Sequence, residues 1–526
     1  MPYSDREVET GGESSGLKRE GAGGQDFLLE LSKFKNRNTQ SCNIELKKFV
    51  RHVRSKRYFG FQSVTLKDSL MSDREVPYIC QLLKHCKALK QVDLSFNRFL
   101  VPGSRKLASC FGENGFANGN SCSVRQLNLQ GNQGIGPTGT AAWMTNIAQN
   151  TCLRELNVEN CQACQFGWSF GMREATDMFL HNRTLEVLNL SDNRISCSQF
   201  DGLQIFEEFC EAIVRGPCSL KSLSLAKNNL GSTGAAILSE SVLLSLESLV
   251  ALDVSGCCVS MEGGFALANA LNRRQHSQSP VHKLNIADNK IGDDGMVALT
   301  HSLWSEMHAI QWLSCGGNDM SCIALDALLS GLSTRNTSGS FTKELQLKGE
   351  ESVCQDGVGN NWMKRLAETL KPRRVAASVG SGMVPSEVSL LTPENTWKRF
   401  TFNRLQKLNL ENVRLHKLDV EILLDALKIN PLDGLRNGNL EVLTIEKQSF
   451  YSLDECDQQR LLELVPIDYV AVGKRTVIAF LCVLNHKRAL SNVYNLPHEL
   501  VGNIMQFLCQ TKCRKIILSG DYDASI

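Results

Sequence analysis

Oxygen-bearing side chains cluster in one stretch of the sequence, KLNIADNKIGDDG at residues 283–295. Four of them could ligate a cation: Asp288, Asn289, Asp293 and Asp294. A helix–loop–helix calcium site requires D-x-[DN]-x-[DN]-G with a carboxylate at the twelfth position. Counted from Asp288, Ile291 and Gly292 stand where ligands are needed. The mismatch favours a different interpretation, in which the stretch is one unit of a repeat.

No other motif in the sequence supplies metal, cofactor or catalytic chemistry. The pair Cys161 and Cys164 in CQAC lacks a second cysteine or histidine pair at zinc spacing. The segment VAVGKRT at 470–476 lacks the first glycine and the final hydroxyl residue of a phosphate-binding loop. G-x-S-x-G, H-E-x-x-H and the kinase motifs do not occur, and the ten histidines are scattered. The sequence therefore predicts a non-enzymatic protein without a cofactor.

The frame L-x-x-L-x-L-x-x-[N/C] recurs along most of the chain. We use its second apolar position as the marker of each repeat. The markers are Val64, Val92, Leu127, Leu156, Leu188, Leu223, Leu252, Leu284, Leu313, Leu345, Leu408 and Leu443. Their spacings lie between 28 and 35 residues, except for 63 between Leu345 and Leu408, which indicates a degenerate repeat or an insertion. A period near 30 indicates a solenoid.

One repeat contains a strand, a turn and a helix. In LKSLSLA the alternation predicts a short strand with Leu223 and Leu225 pointing inward. The residue five after the marker ends the strand, and its side chain is expected to bond buried backbone groups. That position holds Asn97, Asn132, Cys161, Asn193, Asn228, Cys257, Asn289 and Asn318. A turn such as IGDDG then leads into a helix, so the carboxylates of the first stretch are predicted to be turn and helix N-terminal residues.

The segment VHKLNIADNKIGDDGMVALTHSL at 281–303 resembles the ribonuclease-inhibitor-like class of leucine-rich repeat proteins. The resemblance extends over roughly residues 61–448. It implies an α/β solenoid, a leucine-rich repeat horseshoe with a parallel β-sheet on the concave face and helices on the convex face. The class includes inhibitors, GTPase activators, sensors and ubiquitin-ligase receptors, so the fold does not define the function.

The chain divides into four predicted regions. They are a disordered tail at 1–26, a basic amphipathic N-terminal cap helix region at 27–60, the repeats at 61–448, and a helical C-terminal cap or F-box-like segment at 449–526. An irregular insertion is expected near 371–400. The basic face of the cap helix leaves open a nuclear-localisation, RNA or anionic-lipid patch.

Near the C-terminus, LPHELVGNIMQFL at 496–508 resembles the first helix of an F-box. The resemblance implies that Leu496–Leu508 docks a cullin-ligase adaptor. The alternative is a helical cap, with proline in the first helical turn for ordinary reasons.

Composition narrows the partners and the compartment. The net charge is +2, which gives the whole chain no pull toward nucleic acid or membrane. The first 24 residues lack an apolar signal-peptide core, and no 18-residue apolar run occurs. We therefore expect a cytoplasmic protein, with the nucleus as an alternative, whose 20 cysteines are reduced and packed as small apolar groups.

The residues flanking each marker are predicted to face out of the concave sheet and to bind a protein partner. The partner-binding candidates are Trp312, Asp93, Asp253, Glu155, Asn189 and Asn285. This surface is polar with few basic groups, which disfavours nucleic acid. Trp312 is of the type found at binding hot spots, although it could instead pack under a neighbouring loop.

Two functions remain open. The first is a non-catalytic protein-interaction scaffold, a ubiquitin-ligase substrate receptor if the F-box-like segment docks an adaptor. The alternative is a regulator of a Ran-type small GTPase, because the activators of that GTPase share this repeat. Those activators use an arginine from an early loop, and Arg105 is predicted to lie in such a loop, VPGSRKLAS.

Overall fold

A computed structural model describes the repeats and short parts of both ends of the chain. The described residues are 17–19, 27–30, 62–112, 122–164, 170–198, 200–274, 280–303, 310–334, 342, 344–347, 361–370, 373–374, 400–401, 405–410, 422–423, 442–446 and 515–519. The chain forms two units, Met1–Cys258 and Val259–Ile526. The predicted cap helix beyond residue 30 and the F-box-like segment at 496–508 lie outside the described residues.

The first unit alternates short strands with helices. Its strands are β1 (Leu17–Arg19), β2 (Phe27–Glu30), β3 (Ser63–Thr65), β4 (Gln91–Asp93), β5 (Gln126–Asn128), β6 (Glu155–Asn157), β7 (Val187–Asn189), β8 (Ser222–Ser224) and β9 (Ala251–Asp253). Its helices are α1 (Val76–His85), α2 (Val101–Ala108), α3 (Gly136–Ala148), α4 (Phe170–His181), α5 (Phe200–Arg215) and α6 (Gly231–Leu238). Strand β1 lies within the segment predicted to be a disordered tail and pairs antiparallel with β2.

The second unit has the same alternation. Its strands are β10 (Lys283–Asn285), β11 (Trp312–Ser314), β12 (Glu344–Gln346), β13 (Arg373–Arg374), β14 (Phe400–Thr401), β15 (Lys407–Leu410), β16 (Val442–Glu446) and β17 (Lys515–Ser519). Its helices are α7 (Met261–Arg274), α8 (Gly292–Leu303), α9 (Cys322–Thr334) and α10 (Asn361–Leu370). Strand β17 extends the sheet beside β16 within the segment predicted to be helical, because residues 516–518 are an apolar run with two β-branched isoleucines.

The markers of the sequence frame pair with one another in register. In the first unit the parallel pairing aligns Val64, Val92, Leu127, Leu156, Leu188, Leu223 and Leu252. In the second unit it aligns Leu284, Leu313, Leu345, Leu408 and Leu443. Strand β12 therefore pairs directly with β15 across the 63-residue spacing. Each unit is an α/β solenoid, which confirms the predicted fold class.

Each of the strands β3 to β12, and β15, has one buried face, where the core lies. Leu223 and Leu225 have no exposed surface, while the alternate residues Ser222 and Ser224 are half-buried on the other face. Helical side chains complete the core, as in the edge-to-face contact of Phe111 and Trp143, whose ring centroids are 5.3 Å apart. We call the half-buried face, which was predicted to be concave, the open face of the sheet.

A column of buried asparagines closes each turn after the strand, as the sequence predicted. Asn228 accepts hydrogen bonds from the backbone N–H groups of Asn193 (3.1 Å) and Ile195 (3.0 Å). Its amide nitrogen donates to the carbonyls of Leu190 (3.1 Å) and Leu225 (2.7 Å). Asn193 and Asn289 make equivalent bonds to turn backbone. The column therefore connects successive repeats through their main chains.

Cysteine replaces asparagine in this column at two positions of the first unit. The Cys161 thiol donates to the Leu129 carbonyl at 3.2 Å, and the Cys257 thiol donates to the Leu225 carbonyl at 3.1 Å. A thiol supplies the donor function of asparagine but only a weak acceptor. Burial raises the pKa of both thiols to about 12, so they are protonated at neutral pH.

Alkylation should separate the cysteines by burial. Ten of the 14 described cysteines are buried, and only Cys258 and Cys322 are exposed. We expect iodoacetamide at pH 7.5 to label these two at least about 100-fold faster than Cys161 and Cys257, because the thiolate is the reactive form. Peptide mass spectrometry measures the rates, and guanidinium should abolish the difference. Equal labelling of Cys161 and Cys258 in the native protein would contradict the buried thiol column.

Candidate functional site

The open face of the first unit carries a groove of about 460 Å³. Five neighbouring strands, β3 to β7, line this open-face groove. The lining residues are Ser63, Thr65, Gln91, Val92, Asp93, Gln126, Leu127, Asn128, Glu155, Leu156, Asn157, Val187 and Asn189. Asp93 and Glu155 are the only charged residues among them. The parallel register places the side chains of the polar lining residues in two rows. The first row holds the residues directly before the markers, and the second row holds those directly after them.

Polar side chains in the first of these rows bond across the strands. Gln126 donates to the Glu155 carboxylate at 2.7 Å, and the Gln91 amide donates to the Gln126 carbonyl oxygen. This chain orients the amides and leaves Glu155 half-buried in the groove, on the fourth of its five strands. Glu155 is therefore held in place before any partner arrives, which lowers the entropic cost of binding to it.

The second row has a structural role that the sequence analysis missed. Its aspartate and asparagine oxygens accept the backbone N–H two residues later: Asp93 from Ser95 (3.0 Å), Asn189 from Ser191 (2.9 Å), Asp253 from Ser255 (3.0 Å) and Asn285 from Ala287 (3.3 Å). These are Asx turns, which let the chain leave the strand. The residue type at this position is thus explained by the turn, and partner binding by these four residues stays a prediction.

An exposed aromatic ring lies at the end of β4, three residues beyond Asp93. Phe96 is 43% exposed and has a φ of 56°, a conformation that bulky residues rarely adopt. Its ring covers Gly131, where an added Cβ would approach the ring to 2.6 Å, and the Lys67 ammonium lies 5.2 Å from the ring centroid. The sequence frame gives no signal for this aromatic ring, because the equivalent position in other repeats holds aspartate, asparagine, lysine or glycine.

A second groove, of about 450 Å³, lies where the strands β5 to β8 begin. We call it the basic groove. It is lined by Ser123, Arg125, Thr151, Cys152, Arg154, Arg183, Thr184, Glu186, Ser219 and Lys221. Four of these are cations and one is a carboxylate. The predicted partner-binding positions lie directly before and after each marker. Arg125, Arg154 and Lys221 stand two positions before it, so the prediction missed them.

Glu186 fixes two of the four cations. Its carboxylate pairs with the Arg154 guanidinium at 2.7 Å and with the Lys221 ammonium at 2.8 Å. The hydrogen bond from Lys221, aided by the charge of Arg154, lowers the pKa of Glu186 below its ordinary value, so it is ionised at neutral pH. Arg125 and Arg183 have no carboxylate at ion-pair distance in the part of the chain that the structure describes.

The remaining candidates lie in the second unit. Trp312 is half-buried on the open face of β11, in register with Lys283 on one side and Glu344 on the other. Glu344 also pairs with Lys407 at 3.2 Å. The structure thus separates the six predicted partner-binding residues into two groups. Asp93, Glu155, Asn189 and Asp253 belong to the first unit, and Asn285 and Trp312 belong to the second.

The four oxygen-bearing residues of 283–295 perform separate structural tasks. Asp288 adopts a left-handed backbone with a φ of 55°, and Asn289 belongs to the asparagine column. Asp293 accepts the Ser321 N–H at 2.7 Å, and Asp294 lies in the first turn of α8. Among the described residues, no three histidine, cysteine, aspartate or glutamate side chains are grouped to hold a metal ion.

Arg105 lies in helix α2, so its assignment to a loop was wrong. Pro102 at the start of the helix presets a helical φ, and the helix begins at Val101. In addition, no helix within the described ranges combines the length and the apolar character needed to cross a bilayer.

The chain is similar to known repeat proteins. A family model described as Leucine Rich repeat matches residues 120–142, 181–196, 216–239, 245–268 and 278–299. The chain is 24% identical to ribonuclease inhibitor of Sus scrofa over 271 residues, which cover 47% of this chain and 55% of that protein. It is 24% identical to ribonuclease inhibitor of Mus musculus over 335 residues, covering 58% and 67%. The chain thus spans about half the length of the pig protein that it matches.

Among solved structures, the Rad7 and Elc1 complex in yeast is similar with a TM-score of 0.36 and 13% identity, covering 79% of this chain and 90% of that chain. The register of the markers and the matched repeat segments show that the chain carries leucine-rich repeats. Its similarity to the two ribonuclease inhibitors supports the ribonuclease-inhibitor-like class.

Proposed function

We propose that this chain is a non-catalytic scaffold that binds a protein partner in the open-face groove of its first unit. Leucine-rich repeat proteins are protein-interaction scaffolds. The observation that carries the proposal is the groove itself, in which five parallel strands present a continuous row of hydrogen-bonding side chains. Strand-mounted side chains are held more rigidly than loop residues, which favours recognition of a folded surface.

The groove also indicates the chemistry of the partner. Its charged groups are the Asp93 and Glu155 carboxylates, and its glutamine and asparagine amides add further acceptors. A partner that presents lysine, arginine or amide donors complements this surface. Phe96, exposed beyond the end of β4, offers an aromatic contact of the kind that often dominates binding energy.

A photo-crosslinker placed in the groove tests the proposal. Gln91 is exposed and lines the groove, so benzoylphenylalanine at this position should form a discrete adduct with the partner in cells that express the chain. Asp177, exposed on helix α4, is the matched control position and should form no equivalent adduct. Adducts of equal yield from Asp177, or an adduct that forms only from Asp177, would contradict a partner in the open-face groove.

The identity of the adduct also separates the two finer hypotheses. As the first hypothesis, we propose that the chain is a ubiquitin-ligase substrate receptor in which Leu496–Leu508 docks a cullin-ligase adaptor. Mass spectrometry of the captured assembly should then show an adaptor and a cullin beside the partner, and a chain truncated after Asn495 should lose both. Capture of a Ran-type GTPase would support the alternative instead.

A further inference from the structure

We propose that the basic groove binds a phosphoserine or phosphothreonine carried by the protein partner. The groove lies at the starts of strands β5 to β8 and contains four cations around one carboxylate. The proposal extends the proposed function and rests on it, because the same partner would occupy both grooves.

The cations at this end of the sheet are closely and regularly spaced. Lys90, Arg125, Arg154, Glu186 and Lys221 form one row, in which each backbone N–H donates to the carbonyl of the preceding member at 2.7–2.8 Å. Adjacent members are therefore about 4.8 Å apart along the sheet. Three successive members of the row, Lys90, Arg125 and Arg154, are cations. Like charges directly opposite one another destabilise a sheet, so a bound anion would relieve a cost that is present in the free protein.

The positive charges of the basic groove are only partly neutralised. Glu186 pairs with Arg154 and Lys221 and thereby fixes both side chains, each of which is still 53% exposed. Arg125 and Arg183 have no such partner among the described residues, and both are exposed. Two unpaired guanidinium groups next to two fixed cations are suited to a dianionic phosphate, which arginine binds with paired hydrogen bonds. The Thr151 hydroxyl lines the same groove and supplies a further donor, whereas the hydroxyls of Ser123 and Thr184 already donate to the Leu89 and Leu153 carbonyls.

The lining of the basic groove favours a phosphate carried by a protein over one carried by a nucleic acid. The lining contains no aromatic side chain on which a nucleic-acid base could stack. The Glu186 carboxylate interrupts the cationic row, which disfavours a continuous phosphodiester chain. The row also borders the open-face groove, because Arg125 and Arg154 immediately precede Gln126 and Glu155 in the sequence. A protein seated on the open face can therefore place a phosphorylated residue in the basic groove.

The test uses the full chain and immobilised peptide libraries with phosphoserine at the centre of randomised flanks. Matched libraries carry serine or glutamate at the centre. We expect the phosphoserine library to retain at least about fivefold more protein than either control library, since paired guanidinium contacts require the phosphate oxygens. The double variant Arg125→Ala with Arg183→Ala should lose this difference. Arg173→Ala, which removes an exposed arginine from helix α4, should keep it.

A charge-conserving variant distinguishes recognition from general attraction. Replacing Arg125 and Arg183 by lysine keeps the net charge but removes the forked donors, so retention should fall toward that of the alanine variant. Equal retention on the phosphoserine and serine libraries would overturn the proposal, as would unchanged binding by the alanine variant. Binding of a 12-nucleotide single-stranded RNA or of phosphatidylserine vesicles that competes with the phosphoserine library through the same two arginines would also overturn it.

Failure of this proposal can be distinguished from failure of the proposed function. The library measurement reports on the basic groove alone, whereas the adduct from Gln91 reports on the open-face groove. A Gln91 adduct together with no preference for phosphoserine would support the scaffold function and contradict the phosphate site. Selective retention on phosphoserine without a Gln91 adduct would instead contradict a partner in the open-face groove.

Discussion

Replacing Asn228 with leucine should lower the free energy of unfolding by at least about 3 kcal/mol, because each buried backbone group left without a partner costs about 1–3 kcal/mol. Five backbone groups bond to this side chain: the N–H groups of Asn193 and Ile195 and the carbonyls of Leu190, Leu225 and Ala226. The Ala226 carbonyl also accepts from the Asp192 N–H, so the substitution deprives the other four of this partner. Leucine has the same number and branching of side-chain heavy atoms as asparagine but bonds to none of them. Urea unfolding followed by circular dichroism measures the change.

Two matched variants control this measurement. Asn229→Leu makes the same chemical change at the adjacent, exposed position and should alter the stability by less than about 0.5 kcal/mol. Asn228→Cys should fall between the wild type and Asn228→Leu, because the thiols of Cys161 and Cys257 donate to one carbonyl in this column without replacing the amide oxygen. A leucine variant as stable as the wild type would show that the column does not stabilise the repeats.

The asparagine column and the sheet register could be predicted from the sequence because both recur. Every marker from Val64 to Leu252 and from Leu284 to Leu443 pairs with its neighbour as the frame implies. Period-two alternation fixes which side chains are buried, since a shift of one residue would expose the leucines. A repeat therefore specifies its own core and its own turn with little help from distant residues.

The candidate sites were less predictable, because the residue type alone does not show whether a side chain binds a partner or stabilises a turn. Asp93 and Asn189 stand on the open face as expected, yet one oxygen of each closes an Asx turn. The basic groove depends on the position two residues before each marker, which holds a cation in only some repeats. These cations are about 30 residues apart in the sequence and become neighbours only when the strands pair. Arg105 was misplaced because a proline that begins a helix can equally indicate a loop.

Glu155→Lys should weaken partner binding by about 100-fold, because a lysine facing the donors of the partner replaces attraction with like-charge repulsion worth several kcal/mol. Glu155 is one of the two carboxylates that line the open-face groove and accepts a hydrogen bond from Gln126 at 2.7 Å. Lysine would also add a third cation beside Arg125 and Arg154. Glu155→Gln keeps an acceptor for Gln126 and should lose less affinity. Thermal unfolding of both variants controls for any loss of structure.

The dissociation constant of the captured partner for three forms of the full chain tests whether the open-face groove binds that partner. These are the wild type, Glu155→Lys and Asp177→Lys, and the last makes the same charge change on helix α4. If the open-face groove is the working surface, Glu155→Lys raises the dissociation constant about 100-fold and Asp177→Lys changes it less than about threefold, as expected for a charge outside the interface. Equal effects of the two substitutions, or a larger effect of Asp177→Lys, would contradict that claim.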